Sequence, residues 1–154
     1  MKLSSNLSVG YSQIYLEDYS CEFHVHEGTW NDEEMSSMLC VGKNFMIIGT
    51  VQRIQAPFSI EVLGDKPQLD LNAWDHINEC SIEVNSGLLV SGDFDTEGEM
   101  LNVDLEKSIY QTFVCYSGLG IISRDELDGA ESYHVFIWPA LNHIPKRVLK
   151  QWKE

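Results

Sequence analysis

At 154 residues, with 44% hydrophobic and 22% charged residues, the chain has the size and balance of one folded unit, which excludes a disordered polymer. No apolar run approaches the ~18 residues that a spanning helix needs, so no membrane partner is expected. The 24 acids against 10 lysines and arginines give a net charge of −14, a balance that repels phosphate backbones, argues against direct nucleic-acid binding and favours a basic protein partner.

Met1 to Ser8 hold neither the apolar segment nor the small-residue cleavage site of a secretory signal, so the expected compartment is the cytosol. Val9 to Leu16 and Cys21 to His26 alternate in polarity and are expected to form an opening pair of strands. Between Thr29 and Cys40 a capping residue precedes Asp32, Glu33 and Glu34, and Met35, Met38 and Leu39 follow them. That order predicts a short helix ended by Gly42. Phe45 to Arg53 is rich in β-formers, and Phe58, Ile60 and Val62 fall on one face of the next strand. Ser81 to Val84 leads through Asn85-Ser86-Gly87 into Leu88 to Ser91, which predicts a hairpin. Long strands are expected at Ser108 to Tyr116 and at Ser132 to Trp138, with Trp138 in the core and Pro139 as the stop. After Pro145, the spacing of Val148, Leu149 and Trp152 predicts a terminal helix.

The expected fold is therefore mostly β: an antiparallel sandwich or curled sheet of about seven strands, with one short helix and a C-terminal helical tail. Residues 1–142 form the β-rich domain and 143–154 the tail. Lys146, Arg147, Lys150 and Lys153 oppose only Glu154 there, so the tail carries +3, the body −17, and the tail is expected to pack on or extend from the body. Cys21, Cys40, Cys80 and Cys115 lie 19, 40 and 35 residues apart, without a C-x-x-C pair, and read as reduced, buried small apolar residues.

Asp93-Phe94-Asp95-Thr96-Glu97-Gly98-Glu99, with Asp104 at the twelfth position, matches the ligand spacing of a calcium loop. Strands rather than helices flank it and its ninth position is Leu101, so the expectation is an acidic surface loop, with calcium as an alternative. His24 and His26 share one side of a strand but lack a recognisable third and fourth ligand. No nucleophile elbow, Walker loop or dinucleotide fingerprint is present, and no enzymatic activity or cofactor is expected.

The run from Ala56 to Val62, Trp74 to Val84, Ser86 to Val90, Tyr116 to Leu119 and Tyr133 to Pro139 resembles small bacterial β proteins of the competence protein J type and the toxin-immunity proteins. The resemblance implies a cytosolic inhibitor that binds and blocks a basic toxin, a nuclease. On the charge pattern, the contacts are expected from Asp93, Asp95, Glu97 and Glu99, from Asp125, Glu126 and Asp128, and from Asp32, Glu33 and Glu34. Two other readings stay open: a β module that binds a sugar, peptide or calcium, and a metal-dependent hydrolase built on His24 and His26.

Overall fold

A computed structural model describes residues 1–8, 13–21, 30–51, 55–92, 101–120 and 131–153. One sheet has six strands in the order β1 (Lys2–Ser8), β5 (Gln55–Val62), β10 (Ser132–Ala140), β9 (Ser108–Ser117), β6 (His76–Val84) and β11 (Arg147–Lys150). Its pairings are antiparallel except β5 with β10. The second sheet has five antiparallel strands in the order β3 (Leu39–Val41), β4 (Phe45–Gly49), β2 (Gln13–Asp18), β7 (Leu88–Gly92) and β8 (Leu101–Asp104).

Period-2 alternation turns one face of each sheet inward. Phe58 and Ile60 of β5, Val114 and Tyr116 of β9, and Tyr133, Val135 and Ile137 of β10 meet Ile14, Leu16, Met46, Ile48 and Leu89 of the other sheet in one core. Each such side chain contributes about 1.5–3 kcal/mol on full burial. This shared interior is what holds the two sheets face to face. A smaller cluster of Ile77, Phe113, Cys115 and Trp138 lies on the six-stranded sheet with Leu63, Leu69 and Trp74 packed over it. Trp138 is buried as expected, but in this cluster rather than in the main core.

The mostly-β expectation holds, with more strands than the sequence suggested. The helix, α1 (Asp32–Ser37), is half the expected length: Asn31 caps it with a full capping box through Glu34, and Met38 closes it in the left-handed region at φ 58°. Leu39 and Cys40 then enter β3, because their side chains are needed against the two faces of the five-stranded sheet.

The C-terminal helical tail is not what forms: Arg147–Lys150 is β11, paired to β6. A helix of so few residues is marginal in water, whereas the edge of β6 offers a ready row of backbone partners. Leu149 joins the outer cluster, while Trp152, beyond the end of the strand, packs on the main core. The expected hairpin is likewise an arch between sheets. Gly87 makes the turn at φ 82°, but β7 crosses to the other sheet and pairs with β2 and β8, while the edge of β6 beside the turn bonds at Glu83 to Lys43 and Asn44 instead. Of the opening strand pair, Gln13–Asp18 is β2, and the second member, Cys21 to His26, falls outside the described residues beyond Cys21.

Candidate functional site

The acids expected to meet a partner divide in two. Asp93, Asp95, Glu97, Glu99, Asp125, Glu126 and Asp128 lie outside the described residues, as do His24 and His26. Asp32, Glu33 and Glu34 form the first turn of α1, where a helix start favours negative charge. Two of these three are already engaged: Glu34 Oε1 accepts the Asn31 backbone N–H at 3.0 Å, and Glu33 Oε2 accepts Lys146 Nζ at 2.7 Å. Asp32 is exposed.

The Lys146 contact belongs to a strap that binds the chain terminus to the body. Lys146 Nζ also donates to Ser37 Oγ at 2.9 Å and to the Leu39 carbonyl at 2.8 Å. Ile144 N–H donates to Ser81 Oγ at 2.8 Å, and Gln151 Nε2 to the Ser36 carbonyl at 3.0 Å. Arg147 meets Glu79 at 3.4 Å and His143 meets Glu83 at 3.0 Å. Residues 143–151 are thus bonded to the body, with Lys146 and Arg147 paired to carboxylates and Lys150 Nζ donating to the Leu71 carbonyl at 2.9 Å. Beneath the strap, a hollow of about 580 Å³ between α1, the β3–β4 turn and residues 143–146 is ringed by Glu33, Glu34, Lys43, His143 and Lys146. Val41, Ile144 and Pro145 line it beside these charged side chains. Because the Lys146 side chain is 15% exposed, Lys146→Met should cost about 1–3 kcal/mol, read as a lower denaturation midpoint at unchanged slope.

His76 sits under the strap with no exposed surface. Its Nε2 donates to the Ser37 carbonyl at 2.8 Å, and its Nδ1 accepts the Trp152 N–H at 3.0 Å. The Nδ1 bond requires the neutral ring, and burial holds its pKa below the ordinary value even though the bonds with Ser37 and Asn78 pull it upward. Asp18, at the end of β2, is a second buried anchor. Burial pulls its carboxyl upward, but bonds from Ser20, from the Ser86 hydroxyl and N–H and from Asn85 outweigh it and leave it below the ordinary value. That carboxylate fixes the 18–21 turn to the 85–87 arch.

None of these groups is poised for catalysis. Burial pushes Cys40 up to about 12, with Glu34 adding to the effect, Cys80 to about 11 and Cys115 to about 12, so these thiols stay protonated and unreactive at neutral pH. All four cysteines are free, and Cys40, Cys80 and Cys115 are buried as expected, while Cys21 is partly exposed. Among the described residues no three His, Cys, Asp or Glu side chains are grouped to hold a metal.

Sequence reasoning missed His134. It is held between Ser59 and Ser132, with its ring 5.0 Å from that of Trp74. The available signal was alternation, since His134 is the polar position between inward Tyr133 and Val135 on β10.

No protein-family model and no curated protein matches the chain. Solved structures do, at the level of fold. ComJ from Bacillus subtilis, an inhibitor of the DNA degrading activity of NucA, superimposes with a TM-score of 0.69 at 14% identity, covering 90% of this chain and 96% of that one. The fold resembles that of ComJ. The product of crocagin biosynthetic gene J superimposes with a TM-score of 0.58 at 15% identity, over 91% of this chain and 96% of that one. The resemblance to the competence protein J type, first carried by Ala56 to Pro139, thus extends to nearly the whole length of both chains. At these identities ComJ shares the strand framework, while side chains on the surface are this chain's own.

Proposed function

We propose that the chain is an inhibitor that binds a nuclease and blocks it without chemistry of its own. The observation that carries this reading is the near-complete coverage of the nuclease inhibitor ComJ, 96% of its length, by this fold. The surplus of acids, −14 overall, supports the finer part: a basic toxin nuclease, drawn in by long-range attraction and kept from DNA by occlusion of its cationic surface. In this reading the contacts come from Asp32, from Asp93, Asp95, Glu97 and Glu99, and from Asp125, Glu126 and Asp128, in the manner of a cytosolic immunity protein. Glu33 and Glu34 instead organise α1 and the strap.

The test is a DNA-degradation assay titrated with the chain, run with NucA and with a nuclease encoded beside the chain's own gene. Cleavage by at least one should fall in proportion to added protein and stop near equimolar ratio. Undiminished cleavage by both contradicts the reading.

A further inference from the structure

The outer face of the six-stranded sheet carries a second hollow, of about 300 Å³, at its β1 edge. Lys2 and Ser4 of β1, Ser59 of β5 and His134 of β10 line it, and no carboxylate does, in a chain with 24 acids. The register explains the assembly, since Ser4 pairs with Ser59 and Ser59 with His134, which sets three polar side chains in one row across three strands. Glu61, opposite Lys2 in the neighbouring pair, does not line the hollow. Lys2 is also exposed and, among the described residues, makes no ion pair, whereas Lys43, Lys66, Lys146 and Arg147 each meet a carboxylate.

The wall of the hollow is fixed in advance. His134 Nδ1 bonds Ser59 Oγ, its Nε2 lies 3.1 Å from Ser132 Oγ, and Ser132 Oγ lies 2.7 Å from Ser117 Oγ. Trp74 packs on the ring at 5.0 Å. Hydroxyls and a neutral imidazole relay in either direction. With the proton on Nδ1, His134 donates to Ser59, which releases the Ser59 O–H to donate into the hollow, while Nε2 accepts from Ser132 and Ser132 from Ser117. A negatively charged oxygen in the hollow selects that direction and meets the Lys2 ammonium as well.

The geometry points to a binding site for a phosphate group at Lys2, Ser4, Ser59 and His134. The hollow is larger than the group itself, so there is room for a small phosphate monoester as well as for free phosphate. The site is independent of nuclease binding and stands or falls separately from it.

The experiment follows the ring signals of His134 by NMR while inorganic phosphate, or in a parallel arm glycerol 3-phosphate, is added to the intact chain at constant ionic strength. A saturable shift of the His134 signals is expected in at least one arm, and the tighter arm identifies the form the site takes. Lys2→Met and Ser59→Ala should each weaken binding about tenfold or more, as loss of a charge-assisted bond does. Lys107→Met, a cation distant in sequence and absent from the lining, should leave it unchanged. Shifts that do not saturate in either arm, or that persist at equal affinity in folded Lys2→Met and Ser59→Ala, overturn the assignment.

Discussion

Tyr116→Ala should lower stability by about 3–5 kcal/mol, the cost of removing a buried aromatic ring and leaving its cavity. Tyr116 has no exposed surface and stands edge-on to His76 at 4.9 Å and to Tyr133 at 5.6 Å. From β9 in one sheet, its hydroxyl reaches across the core to donate to the Met38 carbonyl beside the other sheet, at 2.6 Å. Tyr116→Phe separates the two contributions. It keeps the ring but removes that bond and the acceptor for Asn78 Nδ2, so it should cost about 1–3 kcal/mol. Met38 O keeps a second donor in Gly49 N–H, which places the expected loss toward the lower end. Denaturant unfolding of the two variants checks the order. Equal losses would mean that the hydroxyl, not the ring, ties the sheets together.

Acidification should destabilise the fold below about pH 6.5, the ordinary histidine value from which burial lowers His76. In that range the unfolded chain takes up a proton at this position and the folded chain does not. Stability therefore falls as pH drops, by up to about 1.4 kcal/mol per pH unit per proton, and levels off at the folded-state pKa. Protonation would also remove the Nδ1 acceptor for the Trp152 N–H, so the C-terminal strap is where the strain falls. His134, lowered by burial and by Lys2, acts with the same sign. His76→Gln should remove one proton's share of the slope between pH 6.5 and the folded-state value, measured from unfolding curves across pH. A slope unchanged in His76→Gln would contradict the neutral role of this ring. Asp18 adds a separate loss in stronger acid: its lowered carboxyl pKa contributes stability above 3.8 that disappears as pH falls through the folded value.

The long strands were legible because alternation is a one-dimensional signal. Phe58 and Ile60, or Tyr133, Val135 and Ile137, declare their shared face without knowledge of their partners. What failed was what depends on a partner. The turn signal Asn85-Ser86-Gly87 made Ser81 to Ser91 look like a local hairpin, and only the pairing of β7 with β2 and β8 shows that it crosses to the other sheet. Val148, Leu149 and Trp152 fit a helix by spacing, and only the open edge of β6 makes a strand the better state. The overall charge pattern separated a basic tail from an acidic body. It did not reveal that Glu33 would be committed to Lys146, because that contact spans 113 positions of sequence. The meeting of Ser59 with His134 was illegible for the same reason: they are 75 residues apart and come together only through the parallel pairing of β5 with β10.

The proposed inhibition is stoichiometric, reversible occlusion of a nuclease, and isolating the inhibited complex tests it most directly. Mass analysis should find both proteins chemically intact at a fixed ratio, and raising the salt should separate them and return the nuclease to full activity, because attraction between exposed charges is screened. A nuclease that comes away covalently altered, or one that is inhibited at a small fraction of its own concentration, would mean that the chain acts by catalysis and would contradict the account.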